Sequence, residues 1–451
     1  MVAGVLVGGF LPTARGAAAE LTTLASLSGL NGALPYSGLL LTADGSFFGT
    51  TSQGGTNGLP FGYGTIFRLN SSGVLTTLFS FNNTNGAKPY GALALGGDGN
   101  LYGTTWGGGI SNVGTAFRVT TNGLHTTLLS FSNVNGAKPS GRLIKGQDGH
   151  FYGTTQFGGA TNQGTVFRLT TNGVLTTLAS FSETNGANPY AEVVQGLDGH
   201  LYGTTVNGGP ADVGAVFRVT TNGVLTLLHI FSGPDGANPY GGLVQDPDGI
   251  LFGTTAYGGA NGYGTIYKIT TNSSLTTLYS FTGGADGANP WASLLRGSDG
   301  FLYGTTILGG GTNGVPRGAV FQITTNGLMA SLASFEFDIN GISPYASVVQ
   351  DAAGNLYGTT WQGGAGLKGT VFRLTPSPQT LQASLPSGNI FRLTWDAWLG
   401  KQYQLQYKTN SIQPSWIDFG PTFVATNSPV SIDTTTSGAS RFYRARLVLP
   451  P

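Results

Sequence analysis

Apolar and polar residues alternate in short runs of four to seven along most of this chain, and the runs are set apart by Asp-Gly, Asn-Gly and Gly-Gly pairs. A period of two over so few residues, bounded by turn formers, predicts half-buried strands joined by tight hairpins. Around 241–281 the pattern predicts four strands, over 241–245, 251–255, 264–270 and 275–281. Asp248-Gly249 separates the first two strands and Asn272, flanked by Thr and Ser, the last two.

The same four-run order recurs along the chain. Gly-Thr-Thr after an aromatic stands at Gly49, Gly103, Gly153, Gly203, Gly253, Gly304 and Gly358, at intervals of 54, 50, 50, 50, 51 and 54 residues. Four antiparallel strands per repeat of this length predict propeller blades. The seventh unit shows three strands, 345–350, 355–360 and 369–375, and then breaks at Pro376. A run matching the missing fourth strand lies at 21–27, ahead of the first unit. Only a closed ring has a use for a strand borrowed from its own start, because closure removes two facing edges. The fold class expected is therefore all-β: a seven-bladed β-propeller over 20–376, closed 3+1 by an N-terminal strand. From about Gln379 the period is lost, and five or six further strands read as a small β-sandwich over 379–451. Trp395, Tyr403, Tyr407 and Tyr443 are its expected core, and Pro376 and Pro378 its short, stiff linker.

Composition agrees with strands and turns. Of 451 residues, 76 are Gly and only 9% are charged, and Cys is absent, which removes disulfides and thiol chemistry. The net charge of +1 offers no footprint for nucleic acid. Residues 2–11 form a short apolar run, and Ala17-Ala18-Ala19 precedes Glu20. Ten apolar residues cannot span a bilayer, so 1–19 reads as a signal peptide, and the expected location is secreted or cell-surface. No transmembrane segment is expected, and the chain reads as monomeric.

Units such as Asn85 to Arg118, Asn-Gly-Ala-Lys-Pro-Tyr … Leu-Tyr-Gly-Thr-Thr … Gly-Thr-Ala-Phe-Arg, resemble the GloVer tandem repeats of bacterial exported proteins, and the resemblance covers residues 21–375. It implies an exported repeat protein and supplies no catalytic residue. The C-terminal segment resembles the fibronectin type III-like modules found at the ends of such proteins.

The repeated Asp-Gly (Asp44, Asp98, Asp148, Asp198, Asp248 and Asp299, with Ala353 in the last unit) offers one carboxylate per blade, too dispersed for calcium, so it reads as turn chemistry. Arg68, Arg118, Arg168, Arg218, Lys268 and Arg373 hold one position of the third strand, with Gln322 the exception, and pairing to those aspartates is expected. The four histidines, His125, His150, His200 and His229, assemble neither a zinc site nor a catalytic set. No metal, cofactor or catalytic residue is therefore assigned. Tyr36, Tyr90, Tyr190, Tyr240, Trp291 and Tyr345 follow the Pro that opens each unit, with Ser140 breaking the series. Packing between blades is the expected role of these aromatics, and stacking at a channel mouth is the alternative.

The loops after Thr-Thr keep Gly-Gly and vary elsewhere, as binding loops on a rigid scaffold do. Trp106, Trp361, Phe61, Tyr63 and Phe157 fall on consecutive blades of a closed ring and are the candidate binding residues, with Tyr257 an outlying member. Trp106 and Trp361 are expected to carry the contact, with Phe61 and Tyr63 closing over them. The leading reading is a non-enzymatic exported binding propeller for a glycan or protein ligand. A propeller-type lyase, lactonase or glycosidase is the alternative, for which Glu183, Glu192, Asp212 and Glu336 are the repeat-breaking carboxylates. A structural envelope or matrix component is the third reading.

Overall fold

The computed structural model describes residues 19–58, 60–70, 72–311 and 317–375, and beyond them 415 and six strands of the C-terminal segment. Residues 1–18, which hold nearly all of the expected signal peptide, lie outside the described residues, as do Pro376 and Pro378. The chain divides into two compact units, Glu20–Thr375 being the larger.

The larger unit is seven four-stranded antiparallel sheets in chain order. In the fifth the strands are Val244–Gln245, Leu251–Thr255, Thr265–Ile269 and Leu275–Ser280, each paired with the next. The seventh sheet runs Val349–Gln350, Leu356–Thr360, Thr370–Thr375 and then Glu20–Ser26, which is antiparallel to Thr370–Thr375 with Leu21 opposite Leu374. The expected N-terminal strand is thus the outer strand of the last blade.

The core lies between blades. Phe48, Ile66 and Phe81 of blade one pack with Leu93, Leu101, Phe117 and Val119 of blade two. The same kind of cluster crosses the seam, joining Leu39, Phe47, Phe67 and Leu69 of blade one to Tyr357 and Val371 of blade seven. Burial of this kind couples each blade to its neighbours, so one blade alone could not hold its apolar faces out of water.

The Gly-Thr-Thr motif explains the fit. A Cβ on Gly49 would collide with the Phe67 ring of the adjacent strand, so only glycine lets the two strands meet there. The first threonine hydroxyl leaves its own blade and donates to the innermost strand of the next: Thr154 to Ala191 O at 2.7 Å, Thr204 to Gly241 O at 3.0 Å, Thr254 to Ala292 O at 3.1 Å and Thr305 to Ala346 O at 3.0 Å. Thr359 makes the same bond across the seam to Ser37 O at 2.9 Å. In five blades the second threonine pairs with one on the third strand, as in Thr105 and Thr115 at 2.8 Å.

That stitching accounts for a difference from expectation. The pattern predicts five residues for the innermost strand, 241–245, yet its own ladder holds two, Val244–Gln245. Its first half serves the preceding blade instead, through the carbonyl of Gly241.

The expected Asp–Arg pairs also differ. Only Arg68 reaches its aspartate, Asp44, at 3.2 Å. In blades two, three and four a tyrosine hydroxyl takes the carboxylate: Tyr102 to Asp98 at 2.8 Å, Tyr152 to Asp148 at 2.7 Å and Tyr202 to Asp198 at 2.6 Å. Blade one has Phe48 at that position, and its Asp44 pairs with the arginine instead; blade five has Phe252 there and forms no such pair among the described residues. In blade seven, where Ala353 replaces the turn aspartate, Asp351 accepts from Tyr357 at 2.9 Å instead.

The C-terminal unit forms two three-stranded antiparallel sheets. One joins Gln382–Ser387, Ile390–Trp395 and Val430–Thr435, and the other Ile417–Val424, Gln402–Lys408 and Phe442–Leu447. Tyr403 and Leu405 are buried there, and Tyr407 is half-buried. The side chains of Trp395 and Tyr443 lie outside the described residues.

Deleting residues 20–26 is expected to leave Thr370–Thr375 with an open edge and to convert a monodisperse chain into aggregates. Size-exclusion chromatography checks this, and an unchanged elution profile would remove the closure argument. A second expectation concerns His125, which opens the outer strand of blade two where other blades carry Leu75, Leu175, Leu225 or Leu275. Its ring stacks on Phe79 at 4.2 Å, and burial pushes its pKa down to about 4. Between about pH 6.5 and 4 the unfolded chain takes up a proton that the folded chain refuses. Stability is therefore complete above pH 6.5 and falls by roughly 2–3 kcal/mol as the pH drops to 4. Urea titrations of H125L, the residue the repeat itself uses, should show a shallower loss over that window.

Candidate binding channel

The seven innermost strands surround a central channel of about 700 Å³. Each enters it through a Pro, and the residue before that Pro is left-handed in every blade: Leu34, Lys88, Lys138, Asn188, Asn238, Asn289 and Ser343, with φ between 51° and 57°. Its backbone joins two blades. Lys88 N donates to Tyr63 O of blade one at 2.9 Å, and Lys88 O accepts from Trp106 N of its own blade at 3.0 Å. Because the second strand runs back antiparallel to the first, the loops after Thr-Thr open at this same end of the channel.

The aromatics after Pro do not fill the wedges between blades, as expected, but meet one another around the axis. Tyr90 lies 5.0 Å from Tyr36, Tyr36 stacks on Tyr345 at 4.5 Å, and Tyr345 meets Trp291 at 5.3 Å. Trp291 stacks on Tyr240 at 3.9 Å, and Tyr240 meets Tyr190 at 5.4 Å. The reason is position: these side chains stand at the strand's first residue, where the wall has opened toward the axis and neighbouring blades are filled by Leu39, Leu93 and their equivalents. The arc breaks at blade three, where Ser140 stands in place of a ring. Burial, and then the neighbouring tyrosines, raise the Tyr36 hydroxyl well above its ordinary value. Tyr190 is raised too, chiefly by burial. Both hydroxyls are therefore neutral hydrogen-bonding groups at any physiological pH and not bases.

Deeper in the channel the residues are small in most blades, and two departures from the repeat meet. Arg142 Nε lies 3.8 Å from Glu192 Oε1, and Ser293 Oγ donates to the same oxygen at 2.9 Å. Glu192 reaches Ser293 by crossing blade five at Gly242. A Cβ there would approach Glu192 O at 2.9 Å and Ser293 Oγ at 3.1 Å. Glu192 is the one carboxylate among the channel-lining residues, set against Arg142, Lys145 and Arg296.

The candidate loop residues fall in three places. Trp106 meets Tyr90 at 5.8 Å and Trp361 meets Tyr345 at 5.7 Å, so both tryptophans extend the channel's arc outward. Phe157 sits beside Trp106, with the Lys138 ammonium 5.1 Å from its centroid. Tyr257 is 43% exposed and close enough to Tyr240 and Tyr345 to affect their ionisation. Phe61 is 71% exposed, and Tyr63 packs against the cluster between blades one and two. Neither ring is brought against Trp106 or Trp361. Of the four repeat-breaking carboxylates only Glu192 lines the channel. Arg142, Lys88 and Lys138 escaped the sequence reading. Their signal was present as departures from repeat columns that in most blades hold small residues, or Asn and Ser.

Among the described residues no group of three or more His, Asp or Glu is placed to hold a metal. Seven four-stranded sheets in a ring, each built from one copy of the same repeat, define a repeat propeller. The model of the Gloeobacter/Verrucomicrobia repeat matches residues 9–212 and 189–387, and the chain belongs to that family. No curated protein matches it. Similar solved structures include a fungal alcohol oxidase of the AA5 family in complex with copper, at 12% identity and TM-score 0.50, covering 96% of this chain and 98% of that one. A candidate 6-phosphogluconolactonase from Bacteroides uniformis is 16% identical with TM-score 0.47, covering 88% of this chain and 99% of the other. Puromycin hydrolase is 12% identical with TM-score 0.43, covering 70% of this chain and 51% of its own. At such identities the likeness is one of fold alone.

Gly242→Ala should lower thermal stability by about 1–3 kcal/mol, since the added methyl group displaces the Glu192–Ser293 bond. E192Q keeps an acceptor for Ser293 and loses only the half-exposed pairing with Arg142, worth under about 1 kcal/mol. Thermal melts in which E192Q is the more damaging change would contradict this description of the channel.

Proposed function

We propose that this chain is an exported, non-enzymatic binding propeller that recognises a glycan at the loop-bearing mouth of its channel. The observation that carries the reading is the unbroken run of rings from Trp106 through Tyr90, Tyr36 and Tyr345 to Trp361, all partly exposed at one end of a rigid ring. Flat apolar faces with polar edges suit the C–H faces of pyranose rings, and pre-ordered aromatics lose little entropy on binding. Phe61 and Tyr63, on the longest loop, stand at the border of this mouth, and Phe157 and Tyr257 flank it.

The channel's chemistry argues against hydrolysis. Glycoside hydrolysis calls for two carboxylates across the scissile bond, and the channel lining holds one, engaged by Ser293 and close to Arg142. Export is the reading of the apolar run at 2–11 with its small-residue site, and the smaller unit is assigned as a fibronectin type III-like module.

A polysaccharide panel on immobilised protein tests the reading. Trp361→Ala should weaken binding of any retained glycan by about 1–3 kcal/mol, the range of a hot-spot aromatic, with the melting temperature nearly unmoved. A marked loss of stability with unchanged binding would make Trp361 a packing residue and overturn the assignment.

A further inference from the structure

Blades two and three depart from the ring at one repeated position. Before the Pro, three blades carry Asn and one Ser, and those side chains bind the preceding blade. Asn188 Nδ2 donates to Gln156 O at 3.0 Å, Asn238 Nδ2 to Val206 O at 3.0 Å, Asn289 Nδ2 to Ala256 O at 2.8 Å and Ser343 Oγ to Ile307 O at 3.2 Å. The backbone there is left-handed, which Asn tolerates better than a long unbranched side chain does. Lys88 and Lys138 give up both advantages, and Leu34 alone shares that loss. The lysines place their ammonium groups 5.4 and 4.3 Å from the centroid of one indole, Trp106.

Neither ammonium has a hydrogen-bond acceptor or a carboxylate within reach among the described residues, so their N–H donors are turned to solvent over the aromatic mouth. The loops at this end of blades one to three contain no Asp or Glu, whereas those of blades four to seven carry Glu183, Asp212, Asp235, Asp286, Glu336 and Asp338. The cation pair also stands at the break in the aromatic arc, where Ser140 leaves the channel wall without a ring. A local rule broken by lysine on two adjacent blades, with both ammonium groups converging on one ring, marks a site shaped by something other than folding.

We propose that Lys88 and Lys138, held over Trp106, form an anion subsite, and that the glycan is an acidic one. This deepens the glycan reading and rests on it. An acidic pyranose carries its carboxylate or sulfate at the edge of an apolar C–H face, so one sugar presents both an anion and a stacking surface. The cluster offers both in return: two ammonium groups, and the rings of Trp106 and Phe157 between which Lys138 lies. A nucleic-acid strand would need a longer basic track than two lysines on a chain of net charge +1.

Calorimetric titration of the full chain with polygalacturonate, with its fully methyl-esterified form, with dextran sulfate and dextran, and with oligo-dT tests the subsite. Polygalacturonate or dextran sulfate should bind more tightly than its uncharged counterpart and weaken as salt rises from 50 to 300 mM; which of the two binds tells carboxylate from sulfate recognition. The double variant K88N/K138N installs the repeat's own residue, so it should melt no lower than the parent, and it should lose about tenfold in affinity for the acidic polymer only. Equal binding of charged and neutral polymers, weakened by Trp361→Ala and untouched by K88N/K138N, would overturn the anion subsite while leaving the glycan reading in place. Preference for oligo-dT would overturn the subsite as a sugar site, and failure to bind any of the polysaccharides would count against both readings.

Discussion

The hydrogen bond from the first threonine of each Gly-Thr-Thr to the innermost strand of the next blade is the contact on which the ring depends. It is buried, so losing it strands a carbonyl away from water at a cost of about 1–3 kcal/mol. It is made between blades, so it ties each sheet to the next. Six blades make it, the last across the seam from Thr359 to Ser37, and Thr104 alone has no partner for its hydroxyl. With the apolar clusters that span adjacent blades, this makes the ring one cooperative body and holds its seven inner strands at fixed stations around a common axis.

Fixed stations turn small sequence changes into unique features of the axis. A repeat that places the same backbone position at seven points around a channel gives every non-conforming side chain a known place. Arg142 and Glu192 sit on adjacent blades at a station otherwise held by Gly38, Ala92, Gly242, Ser293 and Ser347, and Glu192 also reaches Ser293 because Gly242 between them is small. Ser140 opens the aromatic arc, and Lys88 and Lys138 converge on Trp106 beside that opening. The mouth is thereby asymmetric, with lysines over the indole on blades two and three and the acidic side chains confined to the loops of blades four to seven, on a scaffold whose backbone is nearly symmetric.

Several other departures from the repeat are compensated. Phe48 removes a tyrosine hydroxyl from blade one, and Arg68 takes the vacated Asp44. Ala353 removes a turn aspartate, and Asp351 binds Tyr357, Asn355 and two backbone N–H groups in its place. The glutamine that accepts the turn N–H of the preceding blade, as Gln195 does from Gln147 and Gln245 from Leu197, becomes Arg296 where the facing turn residue is Pro247, which has no N–H to offer. No such compensation accompanies Lys88 or Lys138.

Period, strand count and closure were legible in the sequence, because each follows from local chemistry repeated seven times: alternation for the strands, Asp-Gly and Asn-Gly for the turns, and a missing fourth run whose match at 21–27 only a ring can use. The candidate tryptophans were legible as residues but not as a site, since nothing local to Trp106 or Trp361 states that the rings of Tyr90, Tyr36 and Tyr345 link them. That link, the turning of the post-proline aromatics toward the axis, the Arg142–Glu192–Ser293 contact over Gly242 and the two lysines on one indole all join residues on different blades. Such contacts depend on the angle between sheets, which is set by side chains packing across the blade interfaces, and only the closed tertiary structure decides it.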